Sequence, residues 1–227
     1  GFRPSEFPAA FERLRNLKPA PLEIRLLTHL ARADEPDKSL TVQQVARFKE
    51  TIQGHDCAIS IANSAGLFSE LHLGCDWVRP GLALYGASPF AGRTGADLGL
   101  RPVMSLETSV IAVRQVPRGE TVGYGGTWQA QRDSKIAIVA AGYGDGLARG
   151  LPSGTPVLLD GRRAPLCGRV SMDMIAADVT ELPGVQVGTP AVLWGRGLPV
   201  EEVARHAGTI PYELLCGVSQ RVPLELR

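Results

Sequence analysis

The hydrophobic pattern of this chain changes once, and that change limits the folds it can adopt. Through roughly the first ninety residues, short apolar runs alternate with amphipathic helical patterns. Beyond a stretch rich in glycine and small residues, Ser88 to Gly99, helical periodicity almost disappears. Alternating strands and helices favour parallel βαβ units, whereas successive strands separated by turns favour an antiparallel sheet. The sequence therefore predicts an α/β region, residues 1–90, linked to a mostly antiparallel β region, residues 91–227.

The first region contains two predicted helices and three predicted strands. Ser5 is expected to cap the first helix and Ser39 the second, which Gly54 ends. The strands are expected at Ile24 to Leu30, Ala58 to Ile61 and Trp77 to Val78. Three parallel strands do not close a barrel. They are expected to form either the last part of a (β/α)₈ barrel or one side of a doubly wound sheet.

The second region is predicted to be built from strands and turns. Asp160-Gly161 is a hairpin signal, and a helix is expected at Val200 to His206 with Gly208 just past its end. Arg221 to Leu226 is expected to return as a strand. The other strands are expected at Ser105 to Val116, Lys135 to Ala141, Thr155 to Leu159, Met174 to Val179 and Ala191 to Trp194.

Charge and composition exclude several classes of partner. The chain has 24 basic and 23 acidic residues, so no strong field draws it to nucleic acid or to an anionic membrane. No apolar run approaches the roughly 18 residues needed to span a bilayer. The four cysteines lack C-x-x-C spacing, and His55, His72 and His206 show no metal-ligand spacing with His29, so no metal site is predicted. The thiols are interpreted as buried and reduced, which favours the cytoplasm.

Two segments of the first region follow strands and could hold an anion. Asn63-Ser64 follows one strand and opens a helix, where backbone N–H groups and the Ser64 hydroxyl could converge. Arg79-Pro80-Gly81 follows the next strand, and Gly81 would let a ligand approach the backbone closely. His29 lies at the end of the first predicted strand. Taken singly, an N-cap, a turn and a structural histidine are the simpler interpretations.

Two tyrosines of the second region are flanked by glycines, at Gly123-Tyr124-Gly125 and Gly142-Tyr143-Gly144. Such flanks leave the ring exposed, which suits the presentation of a phenol better than a place in a core. A phenol acts as a base near neutrality only where positive or hydrogen-bonding neighbours stabilise the phenolate. The alternative for each tyrosine is an aromatic ring packed over a tight turn.

Seven short segments combine into one pattern. They are Thr28-His29, Ala62-Asn63-Ser64, Arg79 to Gly86, Val122 to Gly125, Ala141 to Gly146, Gly168 to Asp173 and Tyr212-Glu213. In this order and at these spacings they resemble the alanine racemase family, over nearly the whole chain. The resemblance implies that residues 1–90 are the C-terminal part of a cofactor-binding (β/α)₈ barrel and that residues 91–227 are the β domain.

The resemblance also implies a cofactor, pyridoxal 5′-phosphate, and the residues that bind it. The Ser64 hydroxyl, the Gly81 and Leu82 backbone amides and the Tyr212 hydroxyl would bind the phosphate. Arg79 would face the pyridine nitrogen and leave it unprotonated, because an arginine cannot give up its proton.

The implied reaction interconverts L- and D-alanine through a pyridoxal-phosphate aldimine by proton transfer between two bases. Tyr124, offered by the opposite subunit of a homodimer, would be one base, and a lysine would be the other. His29 would lie beside the cofactor ring and link Tyr124 to Arg79. Met172 would contact the substrate carboxylate through its backbone N–H, and Tyr143 would line the approach to the site.

The pattern departs from the family at the lysine. Lys18, Lys38, Lys49 and Lys135 lie in settings unlike the family's cofactor-lysine motif. The chain starts with Gly1 rather than Met, so we expect the lysine, and an arginine that contacts the cofactor phenolate, in residues that precede it. The alternatives are a non-catalytic relative or fragment that binds cofactor or dimerises, and a racemase of broader specificity. A decarboxylase is disfavoured, since Arg79 would weaken the electron sink that it needs.

Overall fold

The computed structural model describes residues 1–71 and 73–226. His72, one of the histidines compared above, and Arg227, the last residue of the expected β region, lie outside the described residues. The chain divides into two compact units. The first comprises residues 1–83 and 89–92, and the second comprises residues 84–88 and 93–227.

The first unit alternates helices with three short strands. Its elements are α1 (Phe7–Arg15), β1 (Leu26–Leu27), α2 (Ser39–Thr51), β2 (Ile59–Asn63), α3 (Ser64–Leu67), β3 (Trp77–Arg79) and α4 (Gly81–Leu84), of which Leu84 falls in the second unit. The strands form a parallel sheet in the order β1-β2-β3, in which Leu26 pairs with Ile59 and Ser60 with Trp77. The predicted parallel arrangement is confirmed.

A small apolar core holds this sheet against its helices. Ile61 and Ala62 of β2 are buried with Leu30, and Val45 and Phe48 of α2 pack against them. The period of three between Val45 and Phe48 places both side chains on the helix face that meets the sheet. This packing therefore holds α2 against the sheet near the carboxyl ends of β1 and β2.

Three local predictions for the first unit are wrong. The strand expected at Ile24 to Leu30 is only Leu26–Leu27, because β1 is an end strand and pairs with β2 over those two residues alone. Helix α1 is preceded by Glu6 and has no side-chain cap, so Ser5 does not cap it. Ser39 is the first residue of α2 rather than its cap, and the Asp37 carboxylate accepts hydrogen bonds from the Ser39 amide and hydroxyl.

The second unit is dominated by an antiparallel sheet. Its strands are β4 (Leu106–Val116), β5 (Thr121–Val122), β6 (Trp128–Gln129), β7 (Ser134–Val139), β8 (Pro156–Leu159), β9 (Arg162–Pro165), β10 (Ile175–Asp178) and β11 (Pro190–Trp194). Six of them pair antiparallel in the order β10-β7-β4-β11-β8-β9, while β5 and β6 form a separate antiparallel pair. The mostly antiparallel β region is confirmed.

Turn and helix signals in the second unit are largely confirmed. Asp160 and Gly161 both have positive φ, at 50° and 72°, and join β8 to β9 as the predicted hairpin. Helix α5 (Val200–Ala207) ends at Gly208, which is left-handed. A further helix, α6 (Pro211–Cys216), was not predicted. The strand expected at Arg221 to Leu226 is not formed, since Pro223 lacks a donor for a ladder and the Arg221 side chain is held by other loops.

The linker and the thiols also differ from expectation. Within the second unit, the buried Glu201 carboxylate accepts hydrogen bonds at 2.7 Å from the amides of Ser88 and Gly95, so the predicted linker is anchored at its first residue and again at Gly95. All four cysteines are free. Cys167 is buried as predicted, but Cys57 and Cys75 are only partly buried, and Cys216 is exposed because it lies at the end of the short helix α6.

Candidate active site

Arg79 ends β3 and reaches across the carboxyl edge of the parallel sheet. Its guanidinium donates hydrogen bonds to the Thr28 carbonyl at 2.8 Å and to the Ser60 hydroxyl at 2.5 Å. It also lies 3.5 Å from Nδ1 of His29. A guanidinium has only donors, so in a hydrogen bond between the two groups the His29 Nδ1 is the acceptor. The structure thus brings together the two residues that the sequence placed beside a cofactor ring.

Gln44 supports this pair and was missed by the sequence analysis. Its side-chain amide donates to the His29 carbonyl at 2.7 Å and to the Thr28 hydroxyl at 3.1 Å, while its oxygen accepts from the Ala31 amide at 3.2 Å. One residue of α2 therefore holds the Thr28 side chain and the backbone at His29 and Ala31. No sequence signal identifies Gln44, because its partners lie 13 to 16 positions away. Ser60 gave a weak signal, a hydroxyl between two isoleucines in a buried strand.

Ser64 joins the two predicted anion-binding segments. Asn63 caps α3 by accepting a hydrogen bond from the Gly66 amide at 2.9 Å, which places Ser64 at the first helical position. The Ser64 side chain is 1% exposed, and its hydroxyl oxygen accepts a hydrogen bond from the Ala83 amide at 3.1 Å. The starts of α3 and α4 are therefore held side by side.

The start of α4 has room for a ligand on one side. A Cβ built on Gly81 would meet no atom within 4 Å, so the space before this backbone is open. Leu82, the next residue, is buried and holds this turn against the protein interior. The remaining predicted phosphate ligand, Tyr212, lies in the first turn of α6 in the second unit, with its side chain partly exposed.

Tyr124 is presented on a tight glycine loop of the second unit. Gly123, Gly125 and Gly126 all have positive φ, and the Tyr124 side chain is 71% exposed. A side chain on Gly123 would contact the Arg169 amide, and one on Gly125 would contact the Arg169 guanidinium. The loop thus lies against Arg169, and the glycines are required by their positive φ.

Tyr143 and Met172 lie on two loops that are hydrogen-bonded to each other. The Tyr143 amide donates to the Ser171 carbonyl at 2.9 Å, and the Gly144 amide donates to the Met172 carbonyl at 2.8 Å. A Cβ on Gly142 would lie 2.2 Å from the Ser171 carbonyl oxygen, so no larger residue fits there. The two residues predicted to contact the substrate are therefore held together by their backbones.

One segment, Gly168–Asp173, contacts both tyrosine loops. Its first residues lie against the Tyr124 loop, since a Cβ on Gly168 would lie 2.6 Å from the Val122 carbonyl oxygen. Its last residues hold the Tyr143 loop as described. The sequence analysis singled out this segment without predicting that it joins the two tyrosines.

The described residues contain neither a metal-binding cluster nor a membrane-spanning helix. Among residues 1–71 and 73–226, no group of three or more histidine, cysteine, aspartate or glutamate residues is arranged to hold a metal ion. Within the same residues, no helix has the length and apolar character needed to cross a membrane.

The chain matches two family models, one for each region. The model of the alanine racemase C-terminal domain matches residues 103–226, which is more than half of the chain, and that of the N-terminal domain matches residues 1–89. The chain belongs to the alanine racemase family.

Individual alanine racemases are similar over almost the whole chain. The alanine racemase of Vibrio cholerae is 47% identical over 224 residues, and that of Nitrosococcus oceani is 50% identical over 223 residues. These matches cover 99% and 98% of this chain but 62% of each relative. The chain therefore spans about three fifths of the length of the alanine racemases that it matches.

Solved alanine racemase structures share the fold. The biosynthetic alanine racemase of Pseudomonas aeruginosa is 48% identical, with a TM-score of 0.92, over 98% of this chain and 62% of that one. The alanine racemase of Bartonella henselae, solved with covalently bound pyridoxal phosphate, is 32% identical with a TM-score of 0.84, over 97% of this chain and 61% of that one.

Proposed function

We propose that this chain forms the larger part of an alanine racemase that uses pyridoxal 5′-phosphate and works as a cytoplasmic homodimer. The observation that carries the proposal is the match at 48% identity and a TM-score of 0.92 to a biosynthetic alanine racemase, over 98% of this chain. In this proposal the first unit is the C-terminal part of a (β/α)₈ barrel. The second unit is the β domain that completes the site of the partner subunit.

The residues of the first unit fit the phosphate of this cofactor. A phosphate needs several donors and an open approach, and the paired starts of α3 and α4 provide the Ser64 hydroxyl, the Gly81 and Leu82 amides and open space before Gly81. The Ser64 oxygen accepts from Ala83, so its own proton is available to a phosphate oxygen. We assign the Tyr212 hydroxyl as a further phosphate ligand.

Arg79 fits the pyridine nitrogen. Its side chain is already fixed by the Thr28 carbonyl and the Ser60 hydroxyl, so its direction does not depend on the ligand. A permanently protonated guanidinium donates a hydrogen bond but no proton, and the ring nitrogen then stays neutral. When bound, the cofactor supplies an electron sink for the α-carbon of the substrate, and a neutral ring nitrogen makes that sink moderate, which favours racemisation over side reactions.

Proton transfer is assigned to two bases on opposite faces of the substrate. Tyr124 takes the α-proton on one face or returns it there, and its exposed position on the glycine loop lets it act in the site of the partner subunit. The second base is a lysine outside these 227 residues. Lys38 and Lys135 are engaged elsewhere, since both donate to backbone carbonyls.

His29 and the two loops of the second unit are assigned supporting roles. His29 accepts a hydrogen bond from Arg79 and, in this assignment, in turn contacts the Tyr124 phenol. The positive charge of Arg79 thereby stabilises the phenolate form of Tyr124. The Met172 amide binds the substrate carboxylate, and Tyr143 lines the approach. Their backbone contact makes the two loops one surface for a small amino acid.

The reaction is tested on the protein purified from its source organism with pyridoxal phosphate. We expect interconversion of L- and D-alanine, with serine and lysine much poorer, and an absorbance band near the visible edge that borohydride removes. Failure to racemise alanine by cofactor-loaded protein contradicts the proposal. Equal rates with serine or lysine would instead indicate a racemase of broader specificity.

Tyr124→Phe tests the first base, because it removes the phenol and keeps the ring. Racemisation should fall at least about 100-fold, within the usual contribution of general acid–base catalysis. Exchange of the α-proton with deuterated water should survive for only one alanine enantiomer, the one whose proton faces the lysine. Tyr85→Phe is the control, since Tyr85 is also exposed but has no assigned role. Unchanged racemisation in Tyr124→Phe excludes this tyrosine as a base.

A further inference from the structure

Arg221 bridges two carboxylates on different loops of the second unit. Its Nε donates to Asp145 at 2.8 Å, and its Nη2 donates to Asp173 at 2.5 Å. Asp145 closes the short 3₁₀ helix that starts at Tyr143, and Asp173 directly follows Met172. The hydrogen bonds to Asp173 and Asp145 raise the pKa of Arg221 above its ordinary value, so it is charged at all working pH values.

The chain around Arg221 is itself anchored to the Tyr143 loop. We call residues Gly217–Arg221 the C-terminal strap. The Ser219 amide donates to the Asp145 carbonyl at 3.2 Å. A Cβ on Gly146 would lie 2.3 Å from the Gly217 carbonyl oxygen, so the strap lies directly on this loop. The Arg221 side chain therefore starts from a fixed point and spans to the Met172 segment.

Asp145 is fully engaged between loop and strap. While one oxygen accepts from Arg221, the other accepts from the Gly142 amide at 2.8 Å. Arg221 thus acts on both ends of the turn that carries Tyr143. The direct bonds from Tyr143 and Gly144 to the Met172 segment are backbone bonds, and Arg221 is the side chain that ties the two loops together as a charged clamp.

We infer that Arg221 is a positioning residue, which sets the distance between Tyr143 and Met172 and so the affinity for the substrate carboxylate. The inference rests on the proposed function. Arg221 and Asp173 are about half exposed, so their ion pair contributes little to the stability of the fold, while Asp145 is more buried, at 15% side-chain exposure, and keeps its hydrogen bond from Gly142 without Arg221. The Tyr124 loop is seated on Gly168 and Arg169 rather than on Arg221. Arg221 therefore affects the affinity for the substrate and does not affect proton transfer by Tyr124.

Arg221→Gln should show this division in steady-state kinetics of the cofactor-loaded protein. We expect KM for alanine to rise about tenfold or more, because small displacements of positioning groups are costly, while kcat changes less than threefold. The cofactor absorbance band and the melting temperature should stay close to those of the wild type. Arg221→Lys should recover only part of the affinity, since an ammonium cannot serve two carboxylates as a planar guanidinium does.

Arg163→Gln is the matched control. Arg163 also ion-pairs with a carboxylate, Glu202, in the same unit, but on strand β9 rather than on the two loops. It should leave KM unchanged. An equal rise of KM in both variants, or no rise in Arg221→Gln, overturns the inference.

Amide hydrogen exchange separates this inference from the proposed function. In Arg221→Gln the amides of Tyr143 and Gly144 should exchange faster than in the wild type and in Arg163→Gln, since their bonds to the Met172 segment lose the clamp. Unchanged exchange overturns the inference even if the wild type racemises alanine. A wild type that does not racemise, with faster exchange in the variant, refutes the proposed function and leaves the clamp itself supported.

Discussion

The hydroxyl of Ser64 accepts a hydrogen bond from the amide of Ala83 at 3.1 Å, although 19 residues separate them. This bond joins the starts of two helices that follow neighbouring parallel strands. The hydroxyl is almost completely buried, so water cannot replace it as the partner of the Ala83 amide. The phosphate cradle that we propose depends on this one oxygen for its shape.

Ser64→Ala is expected to weaken cofactor binding at least about tenfold. It removes one phosphate donor and leaves the Ala83 amide without its acceptor, a loss of about 1–3 kcal/mol in a buried site. Fluorescence titration of the apoprotein with pyridoxal phosphate measures the affinity. Ser69→Ala is the control, because the Ser69 hydroxyl donates only to the Gly66 carbonyl near its own helix. Equal affinity in both variants would contradict the cradle.

Gly142→Ala is expected to destabilise the second unit and to displace the Tyr143 loop. The added Cβ would lie 2.2 Å from the Ser171 carbonyl and 2.4 Å from that of Met172, and backbone atoms cannot move aside cheaply. We expect a loss of about 2–3 kcal/mol in the free energy of unfolding, measured in urea. Gly150→Ala is the matched control, since a Cβ there meets no atom within 4 Å. A stable Gly142→Ala protein would show that the two loops can separate without cost.

Glu201→Ala tests the anchor of the linker. The carboxylate is 8% exposed and accepts from two amides, Ser88 and Gly95, which would both lose their acceptor. We expect a loss of about 3 kcal/mol in the free energy of unfolding, and a smaller loss for Glu201→Gln, whose amide oxygen can still accept both bonds. Glu202→Ala should cost less, about 1 kcal/mol, because it breaks an ion pair whose Arg163 side is half exposed and leaves no backbone amide without an acceptor. Similar losses for the two alanine variants would argue against the anchor.

Cys167 is expected to make the fold less stable at alkaline pH. Burial, with a smaller effect of Asp178, raises the pKa of its thiol to about 12. In the unfolded chain the thiol ionises near its ordinary pKa of ~8.5, so the unfolded state binds fewer protons between these values. The contribution of the protonated Cys167 thiol to the free energy of unfolding is fully present below about pH 8.5. It is lost as the pH rises toward 12, by about 1.4 kcal/mol per pH unit.

Urea unfolding of Cys167→Ala between pH 7 and 10 checks this pH dependence. The difference in the free energy of unfolding between the wild type and Cys167→Ala should become smaller as the pH rises, because only the wild type carries the buried thiol. The exposed Cys216 provides the control, and Cys216→Ala should follow the wild-type pH profile. Parallel curves for the wild type and Cys167→Ala would refute the assignment.

The parts of the fold that were predicted correctly have local causes. The Asp160-Gly161 hairpin follows from two residues that tolerate positive φ, and the end of α5 follows from Gly208. Asn63 caps α3 with its own side chain three residues away. Each of these elements is decided by a few neighbouring residues, which a sequence shows directly.

The parts that were missed depend on distant partners. The strand expected at Ile24 to Leu30 is limited by how far β2 runs beside it, and no property of the segment itself reveals that length. The contact of Arg79 with the Thr28 carbonyl spans 51 positions, and that of Arg221 with Asp145 spans 76. The sequence therefore offered candidate side chains for the chemistry, but it did not indicate which residues hold them in place.

The segment Gly168–Asp173 has a consequence for how this domain can vary. Its backbone contacts both the Tyr124 loop and the Tyr143 loop, so a displacement of this backbone changes the position of both loops. Substitutions on the two loops should therefore be non-additive even though the loops lie apart in sequence. Arg221 contacts this segment at Asp173, so its loss should act on the Tyr143 loop, whereas a substitution that displaces the whole segment should change substrate range and proton transfer together.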